Sequence, residues 1–432
     1  MDHFSFGTFY RFTIFGGSHE PLVGVTVEGI PAGTPLDRPA LQAFLDRRAP
    51  GNGEFSSARR EADVPEFETG LEDGIFTGGP VRAVLRNTDA RPADYEALRT
   101  VPRPGHADWP AYVKTGRIPS GGGHYSGRMT APFCVAGGIA KQLLAREGIE
   151  VTARVISVGG VPAEDAEAVT GLLQDAKARG DSLGGVIECT VTGLPAGLGD
   201  HPFGGLENRL AQAVFAIPAV KGLEFGDGFA LAAMRGSEAN DGYRVQDGRV
   251  VMTSNHCGGI LGGMACGTPL VFRAALKPTP SIAVPQESAD LSVMENVTLS
   301  VPGRHDTCIV LRAVPVAEAA AAAALLDTLW ESRADDAADL PAFRRQIDAA
   351  DRTILEAFVR RMKTADRIGA YKQENALPVQ DSAREQELLD RLSRLAPAEL
   401  SDDVRALYET ILTISKQHVG ADVPSARHTE NN

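Results

Sequence analysis

A change of texture near residue 333 divides the chain, and no single fold satisfies both sides of it. The first part holds nearly all of the 46 glycines, with short β-rich runs at 23–27 and 186–191 bounded by Gly and Pro. Such runs read as strands, and helical patterning fits 133–147, 164–180, 205–216 and 315–331. The mixture predicts an α+β (or α/β) body with many loops, where glycine lets backbone approach a ligand closely. A polar, acidic, Ala-rich joint follows at 333–339. Beyond it glycine nearly vanishes, and Phe343, Ile347, Ala350 and Ile354 recur at i, i+4, i+7 and i+11, the spacing of one helix face. Asp381-Ser382, after Pro378, opens a second helix that closes before Pro397. Ser401-Asp402-Asp403 opens a third, with Val404, Leu407, Tyr408, Ile411 and Ser415 on one face. The expected organisation is a body over 1–332, a linker over 333–339, an all-α three-helix domain over 340–420 and a disordered tail over 421–432.

Length and charge narrow the function. At about 150 residues per domain, 432 residues allow two or three domains. Lys and Arg number 43 against 56 Asp and Glu, a net charge of −13, which argues against a nucleic-acid or anionic-membrane binder. An anionic substrate then needs a local basic pocket. The five cysteines (Cys134, Cys189, Cys257, Cys266 and Cys308) form no CxxC pair, as expected of reduced thiols. Met1-Asp2-His3-Phe4 lacks the basic and apolar regions of a signal peptide. The most apolar run, 319–326, is too short and too Ala-rich to span a bilayer, and reads as a surface-to-core helix. These features predict a soluble cytoplasmic protein, and none of the histidine spacings suits a metal site.

Several loops of the body concentrate reactive side chains. They are Gly16-Gly17-Ser18-His19, Arg47-Arg48-Ala49-Pro50-Gly51 with Arg59-Arg60-Glu61, Arg103-Pro104-Gly105-His106-Ala107-Asp108, and Gly121-Gly122-Gly123-His124-Tyr125-Ser126-Gly127-Arg128. A glycine run entering a helix, here from Thr130, aims backbone N–H groups at one spot where the helix dipole favours an anion. Arginine forks add bidentate binding of phosphate or carboxylate. A glycine nest at 254–263, Lys277-Pro278-Thr279-Pro280-Ser281 and Arg304-His305-Asp306 follow. Each alone reads as a turn.

Together, in this order and spacing, these loops resemble the chorismate synthase family over residues 1 to about 330. The family's GESH loop is similar to Gly16–His19, RPGHAD is intact at 103–108, and RRxPG…RRExD matches 47–51 and 59–63. GGGRSSAR corresponds to 121–128, SNHAGGILGG to 254–263, KPTxSI to 277–282 and RHDPC to 304–308. The resemblance implies a β-α-β sandwich that forms a homotetramer. It also implies 1,4-elimination of phosphate from 5-enolpyruvylshikimate 3-phosphate to give chorismate, with reduced FMN (FMNH2) required but no net redox change. By the same resemblance His19 would protonate reduced flavin, His106 would act as general acid to the departing phosphate, and Asp306 would help deprotonation. Arg48, Arg59 and Arg128 would bind substrate, where charge develops. His124, Tyr125, Ser126, Pro218, Ala219, Gly262, Lys277, Pro278, Thr279, Pro280, Ser281 and Arg304 match flavin-contact positions. NADPH and a separate flavin reductase are the candidate sources of reduction. The chain departs from the family at Gly17 (usually Glu), Glu20 (usually Gly), Glu54 (usually Arg) and His124 (usually Arg).

On the first C-terminal helix Ile347, Ile354 and Arg361 are spaced by seven, and Lys372 follows at nearly the same azimuth. Cations on an apolar stripe either snorkel to its edge or meet a partner. With Asp381, Arg384, Glu385 and Ser415, this pattern resembles the all-helical chorismate mutases. The resemblance implies that Arg344, Arg361 and Lys372 grip carboxylates and ether oxygen, while Asp381, Arg384, Glu385 and Ser415 complete the pocket. Its reaction is the [3,3] rearrangement of chorismate to prephenate, which needs only a compact conformer held by fixed charges. Arg344 and Arg361, 17 residues apart, would lie about 25 Å apart on one helix, too far for one small substrate. An intertwined dimer, each site shared by two chains, is therefore expected. Val419 occupies a position where the family commonly has glutamine, and His418 lies on nearly the same face.

The joint expectation is a bifunctional enzyme in which the first domain's product is the second domain's substrate. The alternatives are a synthase whose helical domain is a non-catalytic dimerisation or effector-binding module, and a flavin oxidoreductase body. The absence of a GxGxxG fingerprint after a strand counts against the last.

Overall fold

A computed structural model describes residues 4–51, 54–55, 61–88, 98–301, 305–336, 340–378 and 381–421. Residues 2–339 make one compact unit and the chain from Leu340 another.

The first unit is two antiparallel sheets with helices between them. Strands β1 (Ser5–Phe6), β2 (Arg11–Gly16), β3 (Leu22–Glu28), β4 (Glu66–Thr69) and β5 (Val81–Arg86) lie in the order β1-β2-β3-β5-β4. Strands β6 (Glu150–Val158), β7 (Val161–Pro162), β8 (Gly185–Thr192), β9 (Val220–Phe225) and β10 (Leu270–Leu276) lie in the order β9-β10-β8-β6-β7. In β10 every second side chain is buried, the period-2 pattern of a sheet with one face on a core. The helices are α1 (Arg38–Asp46), α2 (Asp108–Thr115), α3 (Thr130–Arg146), α4 (Ala166–Arg179), α5 (Leu206–Phe215) and α6 (Val310–Asp336). Helix α3 touches β2, β3 and β5 of one sheet and β6 of the other, while α6 lies along α3, β6 and β8. This is the expected β-α-β sandwich.

Small residues let the two central helices meet. A Cβ added at Gly137 of α3 would sit 2.2 Å from the Cβ of Ala319 on α6. The run 319–326 is wholly buried, so the segment expected to pass from surface to core is instead the innermost helix. Two acids on α6 are buried with it and fully engaged. Glu318 takes the fork of Arg47 (2.8 and 3.0 Å), Lys141 and the backbone N–H of Ala153 (3.0 Å). Asp327 accepts the backbone N–H groups of Thr8, Phe9 and Tyr10 at 2.7–2.9 Å and so anchors the segment before β2. Helix α6 continues to Asp336, four residues into the stretch expected as a linker. Ala and Arg favour helix there, and Arg333 is fastened by a bidentate pair with Glu147 at 2.7 and 2.9 Å.

The second unit has helices α7 (Leu340–Glu374), α8 (Ser382–Leu395) and α9 (Ser401–Ala421). Asp381 caps α8 by accepting the N–H of Arg384 at 3.0 Å. Met362, Leu389 and Ser415 are buried, but Ile347 and Ile354, expected on a buried stripe, are 59% and 61% exposed in the single chain. Phe343, Leu355, Ile368 and Tyr371 of α7 are exposed as well. The expected tail lies outside the described residues beyond Ala421. Among the described residues no helix is long and apolar enough to cross a membrane.

Candidate active sites

The glycines 121–123 take φ values of +57°, +87° and +51°, a left-handed run that side-chain-bearing residues resist. Their missing side chains make room for two rings. A Cβ on Gly121 would stand 1.7 Å from Cε1 of His19, and one on Gly122 would stand 3.1 Å from Cε1 of His106. The run is thus a seat that brings together histidines 87 residues apart in sequence. Its N–H groups are only partly free for an anion, since Gly122 N–H already donates to Pro119 O at 3.1 Å. Ser18 Oγ reaches both Gly121 O (3.2 Å) and His19 Nδ1 (3.0 Å).

Beside this seat opens a cavity of about 650 Å³, within the range of small-molecule sites. Arg48, Arg103, Arg128, Lys221, Lys277 and Arg312 line it against two acids, Glu61 and Asp306. This is the local basic pocket that a chain of net charge −13 needs for an anionic substrate. Of the sequence-predicted residues, Arg48, His106, His124, Tyr125, Ser126, Arg128, Pro218, Ala219, Lys277, Thr279, Pro280, Ser281 and Asp306 line it. His19 stands behind the lining residue Gly121. Pro278 and Gly262 do not line the cavity of the single chain; Gly262 sits in the hairpin between residues 260–261 and 264–265. Arg59 and Arg304 lie outside the described residues.

Fixed partners hold the cations. Asp63, with no exposed surface, pairs with both Arg48 and Arg128, themselves buried. Burial pushes the Asp63 carboxyl up, but the two guanidinium groups outweigh that and hold it below the usual carboxylate range. Arg48 also donates to Thr130 Oγ1 at 3.0 Å, and Arg128 Nε to Asn87 Oδ1 at 2.9 Å. The Asn87 amide donates in turn to Gly17 O (3.0 Å) and Glu20 O (2.7 Å), so the turn carrying His19 and the Arg128 fork share one side chain. Asp306 meets Arg312 at 3.0 Å, and burial pulls the Arg312 guanidinium below its ordinary value. Lys277 donates to Gly105 O, and burial, then the nearby Lys221 ammonium, lowers its pKa. An anion between these two ammonium groups would favour their charged forms and so counter both effects.

Two departures from the family pattern have simple local settings. The Glu20 carboxylate occupies the space beside Gly17, 3.2 Å from where its Cβ would lie. Glu54 is an exposed residue 3.8 Å from Lys177, away from the cavity lining. Sequence reasoning passed over Arg312, Lys221 and Asn87, which no local motif marks because they reach the site only through α6, β9 and the end of β5. Arg103, Glu61, Asp63 and Asp108 lay inside motifs already quoted, and their carboxylate–guanidinium complementarity was the available signal.

In the helical unit Arg361 donates to Ser415 Oγ, which donates to Ile411 O at 2.7 Å. Glu385 pairs with Lys416 at 3.1 Å, which puts Glu385 and Ser415 on neighbouring helices. Arg384 turns to Glu387 (2.5 Å), Asp381 serves as the cap described above, and Lys372 is half-buried on α7. Arg344 stays exposed near the other end of the same unbroken helix, so it does not join Arg361 within one chain. His418 is directed to Asp366 at 2.8 Å.

A sandwich with a polycationic cavity beside two seated histidines, followed by a helical unit that pairs an arginine with a serine across helices, is the layout of an enzyme of two domains. Comparison with known proteins gives the family. Residues 10–330 match the family model for chorismate synthase, and residues 343–419 match that for chorismate mutase type II. Chorismate synthase of Lancefieldella parvula is 44% identical over 365 residues, 76% of this chain and 96% of that protein. Chorismate synthase of Aeropyrum pernix is 45% identical over 351 residues, 75% of this chain and 92% of that protein. A crystal structure of chorismate synthase is similar with a TM-score of 0.58 at 26% identity, over 80% of this chain and 99% of that one. The chain belongs to the chorismate synthase family, with a chorismate mutase type II domain at its C-terminal end.

Proposed function

We propose that the first domain eliminates phosphate from 5-enolpyruvylshikimate 3-phosphate to give chorismate, and that the helical domain rearranges chorismate to prephenate. The observation that carries the first step is the cavity lined by six cations beside two histidines on one glycine seat. Elimination breaks the C–O bond to phosphate and a C–H bond and forms a double bond, so atoms and electrons balance without a net oxidant. Arg48 and Arg128, held by Asp63, bind the substrate's phosphate and carboxylates where charge develops. His106 donates a proton to the leaving phosphate. The cavity suits a flavin: Phe215, Ile217, Pro218 and Ile309 supply apolar wall, and Lys221 and Lys277 supply charge for its phosphate. Reduced FMN, when bound, supplies electron density to the breaking bond without net redox change.

For the second step, Arg361, Lys372, Glu385 and Ser415 form one half of a site and Arg344 of a second chain completes it. The exposed apolar residues of α7 are the surface such a dimer covers. The body assembles as a homotetramer, and a second reading keeps the synthase but makes the helical domain a binding module. The pairing of His418 with Asp366 favours that reading, because it directs the ring at a carboxylate of α7 instead of leaving it to stand in for the glutamine that the family commonly has at Val419.

One anaerobic assay with photoreduced FMN and 5-enolpyruvylshikimate 3-phosphate separates these outcomes. Phosphate and prephenate rising together supports both activities. Phosphate with accumulating chorismate selects the second reading, and no phosphate overturns the first.

A further inference from the structure

The side chain directly behind His106 is Asp108, with no exposed surface, and its Oδ1 lies 2.6 Å from His106 Nδ1. Both Asp108 oxygens are also taken by Arg103, through Nε at 2.7 Å and Nη2 at 2.9 Å, and its Oδ2 accepts the Arg103 backbone N–H at 3.1 Å. A carboxylate in that grip offers only lone pairs. A bare Nδ1 would set lone pair against lone pair at 2.6 Å, so Nδ1 carries the proton and donates it. Arg103 Nη2 stands 3.1 Å from Nδ1 as well, but a guanidinium can only donate, and the shorter contact with Asp108 decides between them. The same Nη2 lies 3.4 Å from Nε2, where a lone pair is welcome.

We propose that Asp108 is a positioning residue that keeps one proton on His106 Nδ1, so that Nε2 is the atom that takes up a second proton from solvent and, from the imidazolium so formed beside the Asp108 carboxylate, donates it to the leaving phosphate. The role in turnover rests on the synthase reading above; the tautomer does not. Burial works against the Asp108 charge, but the hydrogen bonds from Arg103 and His106 win and hold its carboxyl far below the usual range, so it stays an acceptor at any working pH. Gly122 contributes by omission. A Cβ there would stand 3.2 Å from Nε2, and its absence leaves that edge of the ring uncovered.

The test is nitrogen-15 NMR of histidine-labelled full-length protein above neutral pH without substrate, with the His106 signal identified by its loss in His106→Gln. The expected spectrum shows Nδ1 protonated and Nε2 bare. In Asp108→Asn, Arg103 claims the amide oxygen, and the amide N–H donors face Nδ1, so the tautomer inverts to Nε2–H. Steady-state phosphate release by that variant then falls about 10³- to 10⁴-fold in kcat, as for other carboxylates that orient a histidine, with KM within about threefold. Asp108→Glu, which keeps the carboxylate, recovers part of the loss. A wild-type spectrum showing Nε2–H overturns the proposal whether or not Asp108→Asn folds, and so does an unchanged tautomer or kcat in a folded Asp108→Asn. Wild-type protein without turnover would instead overturn the synthase reading and leave the tautomer result standing.

Discussion

At the scale of single residues, Asp63 bears the most. It sits fully buried between Arg48 and Arg128, and removing its charge takes the paired carboxylate from Arg48 and leaves Arg128 with Glu61 alone, at 3.5 Å. Asp63→Asn is expected to lower unfolding free energy by about 3–5 kcal/mol, measured by urea denaturation, and to raise KM for the phosphorylated substrate. Its pH dependence has a definite sign. Burial raises the Asp63, Asp108 and Glu318 carboxyls, but their Arg, His and Lys partners prevail and leave each below its ordinary value in the fold. A depressed folded value contributes stability above the unfolded value of about 4, and that stability is lost as pH falls through and below it. Urea midpoints should therefore hold from neutral pH down to about 5 and drop below 4, and Asp63→Asn should shallow that drop. Gly121 is the second such residue. Gly121→Ala forces the His19 ring to move and strains a φ of +57°, so kcat should fall about 10²-fold with the fold retained by circular dichroism.

At the scale of elements, the contact of α3 with α6 sets how closely the two sheets approach the same core. The atoms nearest a Cβ on Gly137 include Ala319 Cα at 2.3 Å and Ala319 O at 2.7 Å, which are backbone. Gly137→Ala should therefore destabilise by about 3 kcal/mol in denaturant titration, and Ala319→Gly should not rescue it, since the clash is with more than a methyl group. Most elements were readable beforehand. Strand runs at 23–27 and 186–191 became β3 and β8, the cap at Asp381 marks where α8 begins, and α9 begins at Ser401. The failures share a cause. The run 319–326 looked partly exposed because alanine is as compatible with surface as with core, and only Gly137 on α3, set against Ala319, reveals a buried helix–helix contact. The stretch at 333–336 looked like a joint because its charge pattern is polar, yet Glu147 from the end of α3 draws Arg333 into helix.

At the scale of the whole molecule, Arg344 and Arg361 lie on one 35-residue helix whose Phe343, Ile347, Ile354 and Leu355 are exposed in the single chain, which is what the proposed dimer would cover. A site shared between chains predicts complementation. Arg344→Ala and Arg361→Ala each abolish prephenate formation, but co-expression restores about a quarter of the wild-type rate, since half the dimers are mixed and each mixed dimer has one intact site. No recovery would remove the shared site. The division into a glycine-rich sandwich and a glycine-poor helical domain, the histidine-bearing loops, and the concentration of guanidinium groups around Arg48, Arg128 and Arg361 were all written in the sequence, because backbone freedom, periodicity and charge are local properties of residue types. Tertiary structure alone decided that Gly121 and Gly122 seat two distant histidines, that Asp63 joins two arginines, that Asn87 holds Arg128, and that Lys221 and Arg312 reach the same cavity. These are pairings between segments far apart in the chain, and their geometry exists only once sheets and helices have packed and the buried charges have found partners.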